Sequence, residues 1–245
     1  MYKEHTVFEP PQNEDAKIWR YMDFTKFVSL LDKSALFFTR ADQLGDSFEG
    51  ALSKANKILR PKEYGDTIPA SGFEQIDEIF KQYKKFTFIS SWFLNEYELA
   101  AMWKTYLTNN QGIAIQSSYK ALRDCLIDQK YDIHIGKVKY IDYHEDWMPE
   151  RNTFSPFIHK RKYYALEHEI RAVIQVTPII DGKINLLNPP FDNGIYIEVE
   201  LDKLVDKIYV APTCPLWIME LTRSVIAKYQ LKKEVTSSNL DDVPS

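Results

Sequence analysis

Short apolar runs alternate along the chain with stretches in which apolar residues recur at helical spacing. Phe24, Phe27 and Leu31 follow Asp23, a residue suited to cap a helix, and predict a helix over this segment. The aromatic run 35–40 that comes next is typical of a buried strand. Further strands are predicted at 86–91, 112–116, 133–141, 167–176, 195–200 and 207–210, and further helices at 47–59, 73–83, after Asn95, at 155–164 and at 215–231, with a loop over 61–72. This irregular order favours an α+β fold, a single domain with a mixed, mostly antiparallel central sheet flanked by helices.

The length of 245 residues is typical of one compact domain. We expect this domain to span 18–236, with a polar N-terminal arm over 1–17 and a flexible C-terminal tail over 237–245. No run approaches the ~18 apolar residues that a membrane helix needs, and the first residues lack the pattern of a secretory leader. With only Cys125 and Cys214 as thiols, the sequence predicts a cytoplasmic protein that does not bind membranes.

The charge balance limits the partners that composition suggests. Thirty-one Lys and Arg against 35 Asp and Glu give a net charge of −4, so the chain as a whole does not attract nucleic acid. Contact with nucleic acid would need a local patch, and the run 159–164 mixes basic and aromatic residues in the required way. As a helix, this run would spread its charges around the axis, which favours a solvated face with an anion-binding role.

The glycines and histidines exclude the common cofactor fingerprints. The eight glycines stand at 45, 50, 65, 72, 112, 136, 182 and 194, so no two have the spacing that the dinucleotide motif requires. The P-loop pattern is absent as well. The five histidines, at 5, 134, 144, 159 and 168, form no pair at metal-ligand spacing. Rossmann dehydrogenases, P-loop NTPases and histidine-based zinc hydrolases are therefore excluded.

A polar strand face carries the strongest candidate chemistry. The two-residue period of a strand puts Glu167, Glu169 and Arg171 on one side of the segment 167–176. Such a face could hold a carboxylate acid or base beside a guanidinium that binds an anionic substrate. The alternative, which the residues alone favour, is a solvated face with a Glu–Arg pair worth about 0–1 kcal/mol.

An arginine between two aromatic residues precedes the first predicted helix. Arg20, next to Tyr21, could bind a phosphate or stack on a base, and its alternative is an arginine whose stem packs on rings. Ser90 lies where a predicted strand ends, so a ligand could meet its hydroxyl. Trp103 and Tyr106 lie on the apolar stripe of a predicted helix, which favours the core over a cofactor site.

A turn around Gly45 gathers further charged residues. Arg40, Asp46 and Glu49 flank this turn directly after a predicted strand, a common position for functional loops. The alternative is a helix start in which Asp46 is the cap.

Several segments, taken in order, resemble the bacterial domain-of-unknown-function family 2971. The matching segments are 18–21, 36–40 with 44–50, 88–91 with 102–106 and 112–115, 162–171, and a closing strand at 208–212. The family's usual Asn-Asp-Pro-Phe-Glu turn stands here as Gly45-Asp46-Ser47-Phe48-Glu49, and its Cys-Phe-Ser strand end as Ile89-Ser90-Ser91. The resemblance implies the fold of that family, whose name assigns no activity.

A second resemblance, carried by fewer features, is to NAD-using toxins of the ADP-ribosyltransferase type, such as the DNA-modifying kind. It rests on an arginine before an early helix, a strand ending in hydroxyl and aromatic residues, and a glutamate on a late strand. The resemblance implies that Arg20 binds the NAD pyrophosphate and that Tyr21 and Trp103 stack on nicotinamide or ribose. It also implies that Glu169, with Glu167 as its rival, stabilises the positive charge that develops as nicotinamide leaves.

Two functions therefore stay open. The first is an enzyme that uses or hydrolyses NAD in a toxin or phage-defence setting, with nucleic acid or protein as the acceptor. The second is a non-catalytic module that binds a nucleotide or a protein partner. The residues expected around the nucleotide are Arg20, Tyr21, Ser90, Trp103, Tyr106 and Arg171, with Arg40, Asp46 and Glu49 nearby. The first function needs Arg20, Glu169 and Arg171 in one open cleft, whereas the second allows them to be paired internally.

Overall fold

A computed structural model of the protein describes residues 1–106, 111–212 and 214–240, apart from the side chains of residues 66, 70 and 106. The strands are β1 (Lys17–Asp23), β2 (Ala35–Arg40), β3 (Thr87–Leu94), β4 (Gly112–Ser118), β5 (His134–Lys137), β6 (Lys139–Ile141), β7 (His159–Arg161), β8 (Glu169–Gln175), β9 (Ile179–Ile180), β10 (Lys183–Ile184), β11 (Gly194–Glu198), β12 (Lys207–Val210) and β13 (Glu234–Ser237). The α-helices are α1 (Phe24–Lys33), α2 (Lys54–Tyr64), α3 (Ala70–Tyr83), α4 (Ala100–Tyr106), α5 (Tyr119–Asp124), α6 (Ser155–Ile158), α7 (Leu201–Leu204) and α8 (Leu216–Lys228). Short 3₁₀ segments cover Ala41–Gln43, Gly65–Thr67 and Lys162–Glu167.

Nine strands of the described residues form the central sheet. Seven follow the order β11-β2-β3-β1-β4-β12-β13, and β8 and β5 join them through β3. The pairings in this sheet are antiparallel except that of β12 with β13, which is parallel. Two small sheets, β9 with β10 and β6 with β7, lie outside it. The predicted α+β fold with a mixed, mostly antiparallel sheet is confirmed.

The sheet divides at β3. One edge of β3 pairs with β8 over nearly its whole length, from Thr87 to Phe93. The other edge is shared, because it pairs with β2 at Phe88 and Ile89 and with β1 at Phe93 and Leu94. Between these contacts β1 and β2 diverge. We call the gap between the two diverging strands the fork.

Helix α1 closes one side of this fork. It begins where the sequence predicts, because the Asp23 side chain accepts a hydrogen bond from the Lys26 amide at 2.8 Å. It ends at Ser34, which adopts the left-handed conformation with φ of 46°. Phe27 and Leu31 face the largest apolar core, which lies between the sheet and α1, α5, α7 and α8. Burial of the apolar stripe of α1 in this core therefore fixes the position of the helix.

The helix predicted over 155–164 is wrong beyond its first turn. Helix α6 ends at Ile158, and the chain continues as β7, parallel to β6, and then as a 3₁₀ turn. A helix would have spread the basic side chains around its axis. The strand instead sends Lys160 inward, where its ammonium donates to Glu167 at 2.6 Å and to Glu169 at 3.1 Å. These ion pairs join residues seven and nine positions apart, and helix propensity takes no account of them.

Strand β8 begins two residues later than predicted. His168 adopts the left-handed conformation with φ of 43°, which separates Glu167 from the strand that starts at Glu169. Glu167 therefore ends the 3₁₀ turn and does not belong to the polar strand face, although Lys160 still brings it close to Glu169.

The remaining differences are shifted element boundaries and elements that were not predicted, namely β1, β9, β10, β13, α5 and α7. The helix predicted at 47–59 begins only at Lys54, and most of the predicted loop over 61–72 is helical. Strand β13 was not predicted, because Val235 is its one fully buried residue and a single apolar residue sets no period. The strand includes Ser237, the first residue of the predicted tail. Residues 241–245 of that tail lie outside the described part of the chain.

Candidate functional site

The opening between β1 and β2 forms a cleft of about 420 Å³, which we call the fork cleft. Its walls come from β1, α1, β2, β3 and β11. Aliphatic and aromatic side chains line much of it, among them Leu36, Phe37 and Phe93. The polar residues that line it include Arg20, Tyr21, Lys26, Ser29, Ser91 and Tyr196. A concave site with apolar walls and a few polar groups has the composition of a small-molecule pocket.

Arg20 bridges the fork from the middle of β1. Its guanidinium donates to the Ser90 hydroxyl on β3 and, at 3.1 Å, to the Phe37 carbonyl oxygen on β2. It also lies over the Trp92 ring, 5.6 Å from the ring centroid. These contacts join three strands where their backbone pairing is interrupted. Arg20 therefore stabilises the fork and adds a positive charge to the cleft.

The charge that lines the cleft is positive. Its described lining residues include two cations, Arg20 and Lys26, and no carboxylate. The Lys26 ammonium is largely exposed and pairs with Asp23 at 3.0 Å. The Ser29 and Tyr196 hydroxyls hydrogen-bond each other at 2.9 Å and so connect α1 with β11. In a protein with net negative charge, such a lining favours an anionic ligand with an apolar part.

Aromatic side chains support the cleft from behind. The Tyr21 hydroxyl accepts the Leu99 amide at 2.9 Å, and burial raises the pKa of Tyr21 well above its ordinary value. Trp103 is buried, packs edge-to-face on Tyr21 at 5.0 Å and donates its indole N–H to Glu98 at 2.8 Å. Trp103 thus positions Tyr21 and is not among the residues that line the cleft. The predicted role of Tyr106 in nucleotide binding stays a prediction, because its side chain lies outside the described part of the chain.

A second polar centre lies on β8 and the segments packed against it. Seven charged side chains form this ion cluster: Asp46, Glu49, Lys160, Arg161, Glu167, Glu169 and Arg171. Arg171 is 1% exposed and lies at its centre. It donates to Glu49 at 2.6 and 2.7 Å, to Glu169 at 2.7 and 3.0 Å, and to the Phe157 carbonyl oxygen at 2.8 Å. These bonds satisfy the donor capacity of a guanidinium.

The two candidate carboxyls of the ion cluster differ in their electrostatics. Burial alone would raise the pKa of Glu169, but Arg171 and Lys160 outweigh this effect and hold that pKa at about 2. Burial raises the pKa of Glu167, although Lys160 pairs with it. Glu169 is therefore a fixed negative charge, whereas Glu167 takes up a proton at a higher pH.

The structure places some of the predicted site residues in each centre and others in neither. The predicted ligand contact of Ser90 is wrong, because β3 continues to Leu94 and the Ser90 hydroxyl is buried and accepts a bond from Arg20. Arg20 and Tyr21 line the fork cleft, whereas Glu169 and Arg171 are buried in the ion cluster. Ser91 belongs to both, because it lines the cleft and its hydroxyl hydrogen-bonds Glu169. The arginine of β1 and the glutamate of β8 therefore do not share one open cavity, and Glu169 is paired internally.

The charged residues around the predicted turn also separate. Arg40 pairs with Asp42 through bonds of 2.6 and 3.1 Å. Asp46 accepts a bond from Arg161 at 2.9 Å, and Glu49 is one of the two carboxylates that hold Arg171. Asp46 and Glu49 therefore belong to the ion cluster, and Arg40 does not.

The basic run 159–164 is neutralised. Each of its lysines and arginines has an acidic partner: Lys160 with Glu167 and Glu169, Arg161 with Asp46, and Lys162 with Asp142. The Arg161 guanidinium also stacks on the Phe48 ring at 4.0 Å. Lys160 and Arg161 are thus engaged in partly buried ion pairs, whereas the pair of Lys162 with Asp142 lies at the surface.

Lys26, Ser29 and Tyr196 are cleft residues that sequence reasoning missed. Lys26 and Ser29 lie three positions apart on α1, so helical spacing could have placed them on one face. No local pattern predicts that β11 brings Tyr196 beside them, because its pairing with β2 joins distant parts of the chain.

No protein-family model matches the chain, and no curated protein matches it either. The resemblances based on sequence segments therefore stay predictions. Among the residues that the structure describes, no group of three His, Cys, Asp or Glu side chains is placed to hold a metal ion. No helix in the described ranges has both the length and the apolar surface needed to cross a bilayer.

Proposed function

We propose that this protein binds a nucleotide in the fork cleft, with NAD as the first ligand to test. The observation that carries the proposal is a lining with two cations, apolar and aromatic walls and no carboxylate among its described residues. Cations bind phosphate through charge-assisted hydrogen bonds, and apolar walls accept a base. An anionic, partly aromatic ligand matches both halves of this lining.

Lys26 is the residue that we assign to the phosphate. Its side chain is 73% exposed, and its pairing with Asp23 is a surface ion pair of small energy. Arg20 adds positive charge deeper in the cleft while it keeps its bonds to β2 and β3. The hydroxyls of Ser29 and Tyr196 are available to ribose, because hydroxyl groups both donate and accept hydrogen bonds.

The internal pairing of Glu169 favours a binding module over an enzyme. A carboxylate that stabilises a developing cation must face the reacting atoms. Glu169 is 3% exposed and already accepts bonds from Arg171 and Lys160. In the proposal the ion cluster is a structural support behind the cleft.

One observation keeps an NAD-using transferase or hydrolase as the second candidate. Ser91 lines the cleft and hydrogen-bonds Glu169. The neighbouring Glu167 shares Lys160 as a partner with Glu169, and its side chain is 22% exposed. In this candidate a carboxylate of the ion cluster stabilises the positive ribose carbon as the bond to nicotinamide breaks. An acceptor hydroxyl, amine or base, or water, then forms the new bond at that carbon.

Replacing Lys26 with methionine is expected to weaken NAD and ADP-ribose binding about tenfold, because one charge-assisted contact to phosphate is lost. Isothermal titration calorimetry on the full chain measures the dissociation constants. Lys54→Met is the matched control, since Lys54 is an exposed lysine at the start of α2 and does not line the cleft. Equal binding by both variants, or no binding of either ligand by the unchanged protein, contradicts the proposal.

The second candidate has its own test. NAD labelled on its adenine half is incubated with the protein and with DNA, RNA or a protein extract, and transferred label and free nicotinamide are measured. If the protein is an enzyme, Glu167→Gln or Glu169→Gln lowers turnover about 100-fold or more. Glu234→Gln is the control, because Glu234 is exposed at the edge of the sheet, where it pairs with Lys207, and this variant should leave turnover unchanged. Absence of turnover in the unchanged protein removes this candidate and leaves nucleotide binding as the proposal.

A further inference from the structure

The N-terminal arm covers the outer edge of β5. One edge of β5 pairs with β8. On the other side, the Ile133 amide donates to the Met1 carbonyl at 3.0 Å and the Lys3 amide donates to the Ile133 carbonyl at 2.9 Å. The Lys137 amide donates to the Glu9 carbonyl at 2.8 Å. The arm therefore satisfies backbone groups that an open strand edge would expose.

Four rings hold the arm in place. His5 and Phe8 of the arm pack with His134 of β5 and with Phe154, at centroid distances between 5.0 and 5.9 Å. Phe8 lies directly on Gly136, where any β-carbon would come within 2.7 Å of the Phe8 backbone. The contact is specific, because this strand position tolerates only glycine beneath the arm.

Both ring nitrogens of His5 face hydrogen-bond donors. The Val7 amide donates to Nδ1 at 3.2 Å, and Nε2 lies 3.3 Å from the side-chain nitrogen of Asn152. The orientation of the Asn152 amide is fixed, because its oxygen accepts the Phe154 amide at 2.8 Å. A neutral imidazole carries one N–H and can accept only one of these two bonds, whereas a protonated imidazole carries N–H groups on both nitrogens and accepts neither.

The surroundings of His5 offer no compensating negative charge. His134 is the titratable group that faces it from β5, and Asn152 and Phe154, both uncharged, contact it from the segment before α6. Lys3 on the arm is a further cation and pairs with an aspartate. The arm also carries carboxylates, with Glu4 and Glu9 nearest to His5 in sequence, but in the described ranges neither forms an ion pair with His5 or shifts its pKa. Burial and then the neighbouring His134 lower the pKa of His5 below its ordinary 6.5.

We propose that His5 is a pH-sensitive latch, whose protonation releases the N-terminal arm and uncovers the outer edge of β5. Protonation removes the one hydrogen bond that the neutral ring accepts and places an imidazolium beside a second histidine, so the docked arm loses stability relative to the released one. The Ile133 and Lys137 amides then lose their partners on the arm. The pairing of β5 with β8 does not involve the arm and persists.

Amide hydrogen exchange on the full chain, followed by NMR, tests the latch residue by residue. A released His5 has the ordinary pKa of 6.5 and the docked ring a lower pKa, so lowering the pH from about 7.5 to about 5.5 favours the released arm by at most about tenfold. After correction for intrinsic exchange, the protection of the Ile133 and Lys137 amides should fall measurably, with about tenfold as the upper limit. The Val138 amide is the internal control, because it donates to the Glu169 carbonyl of β8 at 2.9 Å and should keep its protection.

Two substitutions assign the effect to His5. In His5→Asn a side-chain oxygen can still accept the Val7 amide but does not titrate, so protection of the Lys137 amide should become independent of pH. His5→Phe keeps a ring that does not titrate and should give the same result. In His134→Phe the fall in protection should persist. Constant protection in the unchanged protein, or a fall that disappears in His134→Phe, overturns the proposal.

Discussion

Replacing Arg171 with methionine is expected to lower the free energy of unfolding by about 3–5 kcal/mol, because it leaves buried charges without a partner. Arg171 is 1% exposed and holds Glu49 and Glu169 together. Both carboxylates are themselves buried, so water cannot replace the lost hydrogen bonds. Urea unfolding at pH 7, followed by circular dichroism, measures the change.

The control for Arg171→Met is Lys203→Met. Lys203 pairs with Glu200 at 2.7 Å, and about half of each side chain is exposed, so its loss should leave the free energy of unfolding almost unchanged. If the two variants lose equal stability, the ion cluster is not the buried network that its contacts indicate.

Acid should reduce the difference between Arg171→Met and the unchanged protein. The pKa of Glu169 is about 2 in the folded protein against an ordinary 4.5, so its ionisation stabilises the fold fully above pH 4.5 and ceases to do so as the pH falls towards 2. In the variant this carboxyl has lost its strongest partner and takes up a proton more readily, which relieves the buried charge. We therefore expect a smaller difference in unfolding free energy at about pH 4.5 than at pH 7.

The ion cluster shows what strand periodicity could predict and what it could not. The two-residue period correctly places Glu169 and Arg171 on the same strand face. Their burial depends on Glu49, which is 122 positions before Arg171, and on Lys160, which requires β7 in place of a helix. A single-sequence pattern contains no information about such partners, so the residues alone favour a solvated face.

The fork cleft depends even more on long-range pairing. Strands β2 and β3 are visible as apolar runs, but β1 is buried on both faces and shows no alternation. The sequence predicts a candidate ligand role for Arg20 but not the divergence of β1 and β2 that makes a cleft beside it. Tyr196 and Lys26 become cleft residues only through the positions of β11 and α1 at this divergence.

Replacing Trp103 with alanine is expected to cost about 3–5 kcal/mol of unfolding free energy, because it leaves a cavity where a buried indole packed. Trp103 is 2% exposed and contacts the Tyr21 ring at 5.0 Å. Trp217→Ala is the matched control, because Trp217 is 53% exposed on α8 and its truncation should change stability by about 0.5 kcal/mol or less. Thermal and urea unfolding of both variants measure the difference, and similar losses would show that Trp103 does not support the cleft.

Because Tyr21 lines the fork cleft from the front, Trp103→Ala should also weaken nucleotide binding under conditions in which the variant is still folded, whereas Trp217→Ala should not.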